Sequence, residues 1–185
     1  MTRVSSQFPR TLALLPYAPV EAGTVRALEV TVDYDTGSGT LSLRYGLDAD
    51  MARIRVPSQR PTSPADELWK HTCFEAFIRS AGTPAYHELN FSPSTEWAAY
   101  AFEDYRKGMT PVRVPRSPAI RVGRSVQHLQ LDVRFDLRTL SRPAALALAA
   151  VIEDQGGRLS YWALKHPAGK PDFHHPDSFA LELSP

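Results

Sequence analysis

The chain has 185 residues, 21 Lys+Arg against 20 Asp+Glu for a formal charge of +1, a single Cys, 16 Pro and 10 Gly. That length suits one domain, and 43% hydrophobic with 10% aromatic content supplies a substantial core and excludes a disordered tail. One Cys excludes a disulfide framework and a thiolate metal cluster, and the near-zero charge supplies no global field for nucleic acid or anionic lipid.

No segment approaches the roughly eighteen apolar residues of a membrane span. Thr11 to Val20 is the best apolar stretch near the N-terminus, but Pro16 and Pro19 interrupt it and Arg3 and Arg10 are its only basic flank. A secretory signal wants an unbroken apolar core and a small-residue cleavage site, so a cytoplasmic protein is expected. Residues 1–24 read as an extension packing on a single domain over 25–185.

Pro and Gly, spread along the chain, break up long helices and punctuate short strands. Val25 to Tyr34 alternates, with Leu28, Val30, Val32 and Tyr34 on one face; Asp35-Thr-Gly-Ser-Gly39 then turns into Leu41, Leu43, Tyr45 and Leu47. That pattern predicts a hairpin. Met51 to Val56 reads as a short strand, followed by a proline-broken loop. Thr72 to Ile78, Tyr86 to Phe91 and Trp97 to Phe102 are three further strands, and Gln127 to Leu137 alternates again. Ala144 to Ile152 competes for helix on propensity, but Pro143 before it and Val-Ile at its end favour strand. Leu159 to Leu164 and Phe179 to Leu183 complete the pattern. Roughly ten strands with turn signals between them predict an all-β fold, a two-sheet antiparallel sandwich of jelly-roll type.

Charge is balanced overall but not locally. Residues 61–105 hold seven acids against Lys70 and Arg79, whereas 106–124 hold six bases and no acid. The basic stretch carries Pro111, Pro115 and Pro118 and reads as a long loop, either an anion-binding arm or a solvated loop over the acidic half. The lack of interleaved aromatics favours the latter and gives no nucleic-acid surface.

Phosphate-loop, His-Glu-x-x-His, Cys-x-x-Cys and Gly-x-Ser-x-Gly motifs are absent. Polar and aromatic residues are instead concentrated inside strand-like segments. With Phe74, Ala76, Ile78, Leu89 and Phe91 inward, the opposite face of that hairpin carries Cys73, Glu75 and Phe77 beside Tyr86, Glu88 and Asn90. The turn length allows a register that sets Glu75 across from Glu88. Such a pair serves as a glycosidase acid and base, as a ligand's hydrogen-bonding floor, or as two solvent-facing residues. Trp69, Trp97 and Trp162 fall in the same neighbourhoods, grouped with Tyr100, Tyr105 and Arg106. Aromatic faces stack on the apolar faces of sugar rings while carboxylates and amides take the hydroxyls. His166, His174 and His175 lie in a proline-rich tail whose spacing is poor for zinc, with Asp172 the one nearby oxygen ligand. A haem would need an axial His, with Met109 or Met51 opposite. Cys73 reads as a small packing residue.

Several phrases together carry a family resemblance. They are Leu68-Trp-Lys-His-Thr-Cys-Phe-Glu-Ala-Phe-Ile78, Tyr86-His-Glu-Leu-Asn-Phe-Ser-Pro93, Trp97-Ala-Ala-Tyr100 with Tyr105-Arg106, and Ser160-Tyr-Trp-Ala-Leu-Lys-His-Pro167 with Pro171-Asp-Phe-His174. Over most of residues 25–183 the chain resembles bacterial DOMON-like domain proteins. The resemblance implies a β-sandwich similar to family 9 carbohydrate-binding modules and to haem-binding cytochrome domains, and hence sugar or haem as ligand. In the sugar-binding relatives two tryptophans sandwich the ring; no position here matches the axial ligands of the haem-binding ones, which leaves haem the lesser alternative.

The expectation is therefore a small-molecule binding module for a carbohydrate or sugar-derived metabolite. Trp69, Trp97, Tyr100 and Trp162 would stack, and Glu75, Glu88, Asn90, Arg106 and His174 would hydrogen-bond. The alternative is an enzyme using the same cleft, with Glu75 or Glu88 as general acid or base and His166 or His174 assisting. Burial with a strongly raised pKa in one carboxylate favours that alternative; placing the two on opposite faces would remove the site altogether.

Overall fold

The structure, a computed structural model, describes residues 8–140 and 143–183. Residues 1–7 of the expected N-terminal extension lie outside the described residues. Thirteen strands are present among the described residues: β1 Arg10–Ala13, β2 Leu15–Pro16, β3 Val25–Asp35, β4 Thr40–Ala49, β5 Cys73–Ser80, β6 Tyr86–Phe91, β7 Trp97–Phe102, β8 Thr110–Pro111, β9 Ala119–Arg124, β10 His128–Asp136, β11 Pro143–Glu153, β12 Leu159–Ala163 and β13 Leu181–Glu182.

They form two antiparallel sheets. The smaller runs β1-β3-β4-β10-β9 and the larger β2-β12-β11-β5-β6-β7-β8, with β13 pairing the remaining edge of β11. This is the β-sandwich that the alternating sequence predicts. The N-terminal segment crosses between the layers, since β1 pairs with β3 in one sheet and β2 with β12 in the other.

The core between the sheets follows from the period of two. Leu28, Val30 and Val32 of β3, Leu41, Leu43, Tyr45 and Leu47 of β4, and Leu129, Leu131, Val133 and Phe135 of β10 meet Phe74, Ala76, Ile78, Leu89, Phe91, Leu146, Leu148 and Ile152 from the larger sheet. The β3–β4 turn ends on Gly39 at φ +68, a left-handed conformation that glycine adopts without strain. Strand wins over helix in the Ala-rich run because its parity serves two faces. Leu146, Leu148, Ala150 and Ile152 enter the inter-sheet core, while Ala145, Ala147, Ala149 and Val151 face the other way.

That other face is also covered. Phe77, Tyr86, Tyr100 and Phe102 of β5–β7 form a second apolar layer with the small alanines of β11 and with Phe173 and Phe179, so β5 is buried on both sides along most of its length. A sheet covered on both faces loses the apolar-in, polar-out contrast of a half-solvated one. Among the described residues no helix is long and apolar enough to cross a membrane.

Two local expectations are corrected. Met51 to Val56 is not a strand: only Ile54 makes an isolated bridge, to Asp154, although Met51 and Ile54 both enter the core. The basic stretch 106–124 is not a continuous loop, because Thr110–Pro111 pairs with β7 and Ala119–Arg124 forms an edge strand on β10. Pro115 and Pro118 fall between these strands and interrupt neither.

Phe91 is fully buried at the centre of the sandwich, whereas Val126 is 82% exposed at the β9–β10 turn. Phe91→Ala is expected to cost about 3–5 kcal/mol, read as a fall in the urea midpoint at unchanged slope. Val126→Ala is expected to stay within about 0.5 kcal/mol of the parent.

Candidate functional site

The outer face of the larger sheet opens into a cavity of about 440 Å³. Its floor comes from β5 and β6, with Val151 of β11 and Leu159 and Tyr161 of β12 at one side. Trp69, on the 3-10 turn Leu68–Lys70, and Arg106, in the turn after β7, stand over it, and Phe173 and His174 close it from the loop after β12.

The register of β5 on β6 pairs Glu75 with Asn90 and Phe77 with Glu88. Glu75 and Glu88 therefore share a face but sit diagonally, not directly across as expected; the hairpin is offset by two residues, which keeps parity and puts Asn90 beside Glu75. Asn90 is fully buried and donates from Nδ2 to Glu88 Oε1 at 2.8 Å. It acts as a positioning group beneath the cavity.

Both carboxyls are buried, Glu75 at 2% and Glu88 at 5% exposure. Burial pushes Glu75 well above the usual carboxylate range, and repulsion from Glu88 adds to it. Burial pushes Glu88 up to about 6, against the Asn90 hydrogen bond and the Arg106 charge, which pull it down. Glu75 Oε1 has no hydrogen-bond partner among the described residues. A buried polar atom left without a partner costs about 1–3 kcal/mol, so it is a place where a ligand group adds stability.

The opposite wall is a connected polar network. Tyr86 Oη lies 2.8 Å from His174 Nδ1 and accepts the Arg106 backbone N–H at 3.2 Å. In the tautomer in which Tyr86 donates to Nδ1, the histidine's own N–H is on Nε2, 3.7 Å from Glu88 Oε2. Burial and the Arg106 charge lower His174 to about 4, although Asp172 opposes them, so this contact is polar rather than an ion pair near neutrality. Asp172 accepts from Arg106 Nη2 at 2.7 Å, from the His174 backbone at 3.1 Å and from the Tyr105 hydroxyl. Burial works to raise Asp172, but Arg106 and Tyr105 outweigh it and hold it below the ordinary value. Arg106 itself has φ +54, a left-handed backbone that a non-glycine residue keeps only when its surroundings fix it.

Of the residues expected at the site, Trp69, Glu75, Glu88, Arg106 and His174 line this cavity. Trp97 and Trp162 do not: both are 4% exposed and belong to the inter-sheet core, with Trp162 Nε1 bonded to Ser160 Oγ. Strand parity is the reason. Trp97 lies three residues from Tyr100 and so on the other face of β7, and Trp162 pairs with inward Ala150 while Tyr161 pairs with outward Val151. Tyr161 is the aromatic the sequence reading missed, and that parity could have found it. Tyr100 faces the right side but is 4% exposed; its ring edge supports Trp69 at 5.7 Å and its hydroxyl bonds Asp66.

Of the axial candidates for haem, Met109 lines the cavity, but the histidine there is not free to ligate. His174 gives Nδ1 to Tyr86 and turns Nε2 toward a carboxylate, with Phe77, Tyr86 and Phe102 packed around the ring at 5.0, 5.8 and 5.1 Å. His166 bonds the Leu15 carbonyl and Met51 is in the core. Among the described residues no group of three or more His, Cys, Asp or Glu could hold a metal ion.

The sandwich has a counterpart among solved structures. It is the crystal structure of a "putative carbohydrate-binding protein" from Bacteroides uniformis, with a TM-score of 0.62 over 92% of this chain and 84% of that one. Sequence identity is 10%, so the likeness is one of fold. No protein-family model and no curated protein matches the chain.

The buried carboxyls make stability depend on pH. Glu88 binds its proton more tightly folded than unfolded, so its contribution is complete below about 4.5 and is lost as pH rises toward about 6. His174, lowered to about 4, acts with the opposite sign between about 4 and 6.5. Glu88→Gln removes this titrating carboxyl and with it the charge beside Glu75 and His174, so the variant is expected to lose less stability than the parent as pH rises from about 4.5 through about 6, measured by urea unfolding at each pH.

Proposed function

We propose that the protein is a ligand-binding module of the DOMON-like kind, and that its ligand is a carbohydrate or sugar-derived metabolite held in the cavity over β5 and β6. The observation that carries this reading is the unpartnered Glu75 Oε1, buried at the floor of a cavity walled by Trp69 and Tyr161. A ring with apolar faces and polar edges matches that arrangement: the aromatics take the faces, and Glu75, Glu88 and Arg106 take hydroxyls. The shared fold with the Bacteroides uniformis protein supports the same class of ligand.

A second reading rests on the two carboxyls. Both are buried with raised pKa, and a carboxyl near 6 can hold or release a proton at working pH, as a general acid or base requires. In that case the cavity would act on a sugar-like substrate, with Glu88 exchanging the proton.

Thermal-shift titration with mono- and disaccharides is expected to raise the melting temperature, because a ligand of the native state stabilises it. Trp69→Ala is expected to weaken that ligand by about tenfold or more, and Trp97→Phe to leave its affinity unchanged. Equal losses in both variants, or none in either, would remove the cavity from the binding reaction. Turnover of nitrophenyl glycosides that disappears in both Glu75→Gln and Glu88→Gln would establish the catalytic reading, and its absence in the parent protein counts against it.

A further inference from the structure

Two carboxyl groups face this cavity with no cation between them. The bases nearby are committed elsewhere: Lys70 Nζ lies 2.7 Å from Glu67 Oε2, and Arg106 Nη2 lies 2.7 Å from Asp172 Oδ1. Glu75 Oε1 has no partner among the described residues, and Glu88 gives Oε1 to Asn90, leaving Oε2 with His174 Nε2 at 3.7 Å.

From other directions Glu88 feels the positive charge of Arg106, which is paired with Asp172, whereas no cation acts on Glu75 among the described residues. β11 presents Ala149 and Val151 beside Glu75, Cys73 shares its strand, and Tyr45 from the smaller sheet donates to its backbone carbonyl, not to its carboxyl. β6 adds Glu88 and Asn90, the turn after β7 adds Arg106, the 3-10 turn adds Lys70, and the closing loop adds Asp172 and a neutral His174. The walls are Trp69 and Tyr161, whose ring faces attract cations. A hard divalent cation would need six or more oxygens, which this floor does not offer.

We propose that the cavity selects a ligand bearing a primary ammonium group, an amino sugar over its neutral parent, with the ammonium seated between Glu75 and Glu88. The inference rests on the binding reading above for the body of the ligand and on the carboxyl pair for its charge. An ammonium has three N–H donors and no acceptor, so it can give one to Glu75 Oε1 and one to Glu88 Oε2. A bound cation favours ionised carboxylates, so a carboxyl that is neutral in the free protein gives up its proton on binding. The balance is one carboxylic acid plus one ammonium going to an ion pair and a released proton. A neutral sugar at the same place releases none.

The experiment is calorimetric titration of the full chain at pH 7 with glucosamine, glucose and N-acetylglucosamine, and in parallel with cyclohexylamine and cyclohexanol. Proton release is followed in weakly buffered solution with an indicator dye. Each amine is expected to bind about tenfold more tightly than its uncharged counterparts and to release protons. In Glu75→Gln, with folding verified by circular dichroism, the preference ratio is expected to fall to about one. Glucose binding as tightly as glucosamine overturns the ammonium inference and leaves the sugar reading standing. Cyclohexylamine preferred over cyclohexanol with no hexose bound supports the ammonium inference and removes the sugar. No binding by either amine, or tight amine binding without proton release, overturns it.

Discussion

A carboxyl group on the central strand of a sheet covered on both faces has few ways to stay charged. It must find a cation, find several hydrogen-bond donors, or keep its proton. Glu75 stands in that position on β5, between an inter-sheet core below and an aromatic layer above, with alanine on one neighbouring strand and asparagine on the other. The cavity, the raised pKa of both glutamates and the unpartnered oxygen all follow from that placement. Had the outer face been solvated, the same residues would be two ordinary surface carboxylates.

What makes the placement possible is a division of side-chain size. The small outward residues of β11 leave room for Phe77, Phe173 and Phe179, which seal the ends of the face, while Val151 and Tyr161 stop short of filling the space above Glu75. The covering layer is built from loops and a 3-10 turn rather than a third sheet, so it can hold a gap. The inter-sheet core, where strands from both layers interdigitate, has no such freedom.

The strands were legible in the sequence because hydrophobic alternation is a local signal that register preserves. The Thr72–Phe91 hairpin, its inward residues and the shared face of Glu75 and Glu88 were all visible as parity. Parity also misled where it was set aside: three tryptophans were grouped by nearness in sequence, and two of them, Trp97 and Trp162, point into the core. Asp172 was legible only as an isolated carboxylate. Its role depends on meeting Arg106 across 66 positions, a contact no local pattern encodes. The edge strand Ala119–Arg124 was hidden by the prolines before it and by its own arginines, which suit an edge exposed to water.

The Tyr86 hydroxyl joins two pieces of chain that are otherwise separate covers. It accepts from the backbone of Arg106 on one side and bonds His174 on the other, and Arg106 meets the closing loop again through Asp172. Neither the turn after β7 nor the loop after β12 can lift from the sheet without breaking bonds to the other. These two covers are therefore tied to each other as well as to the sheet, so displacing either one strains the bonds that hold its partner.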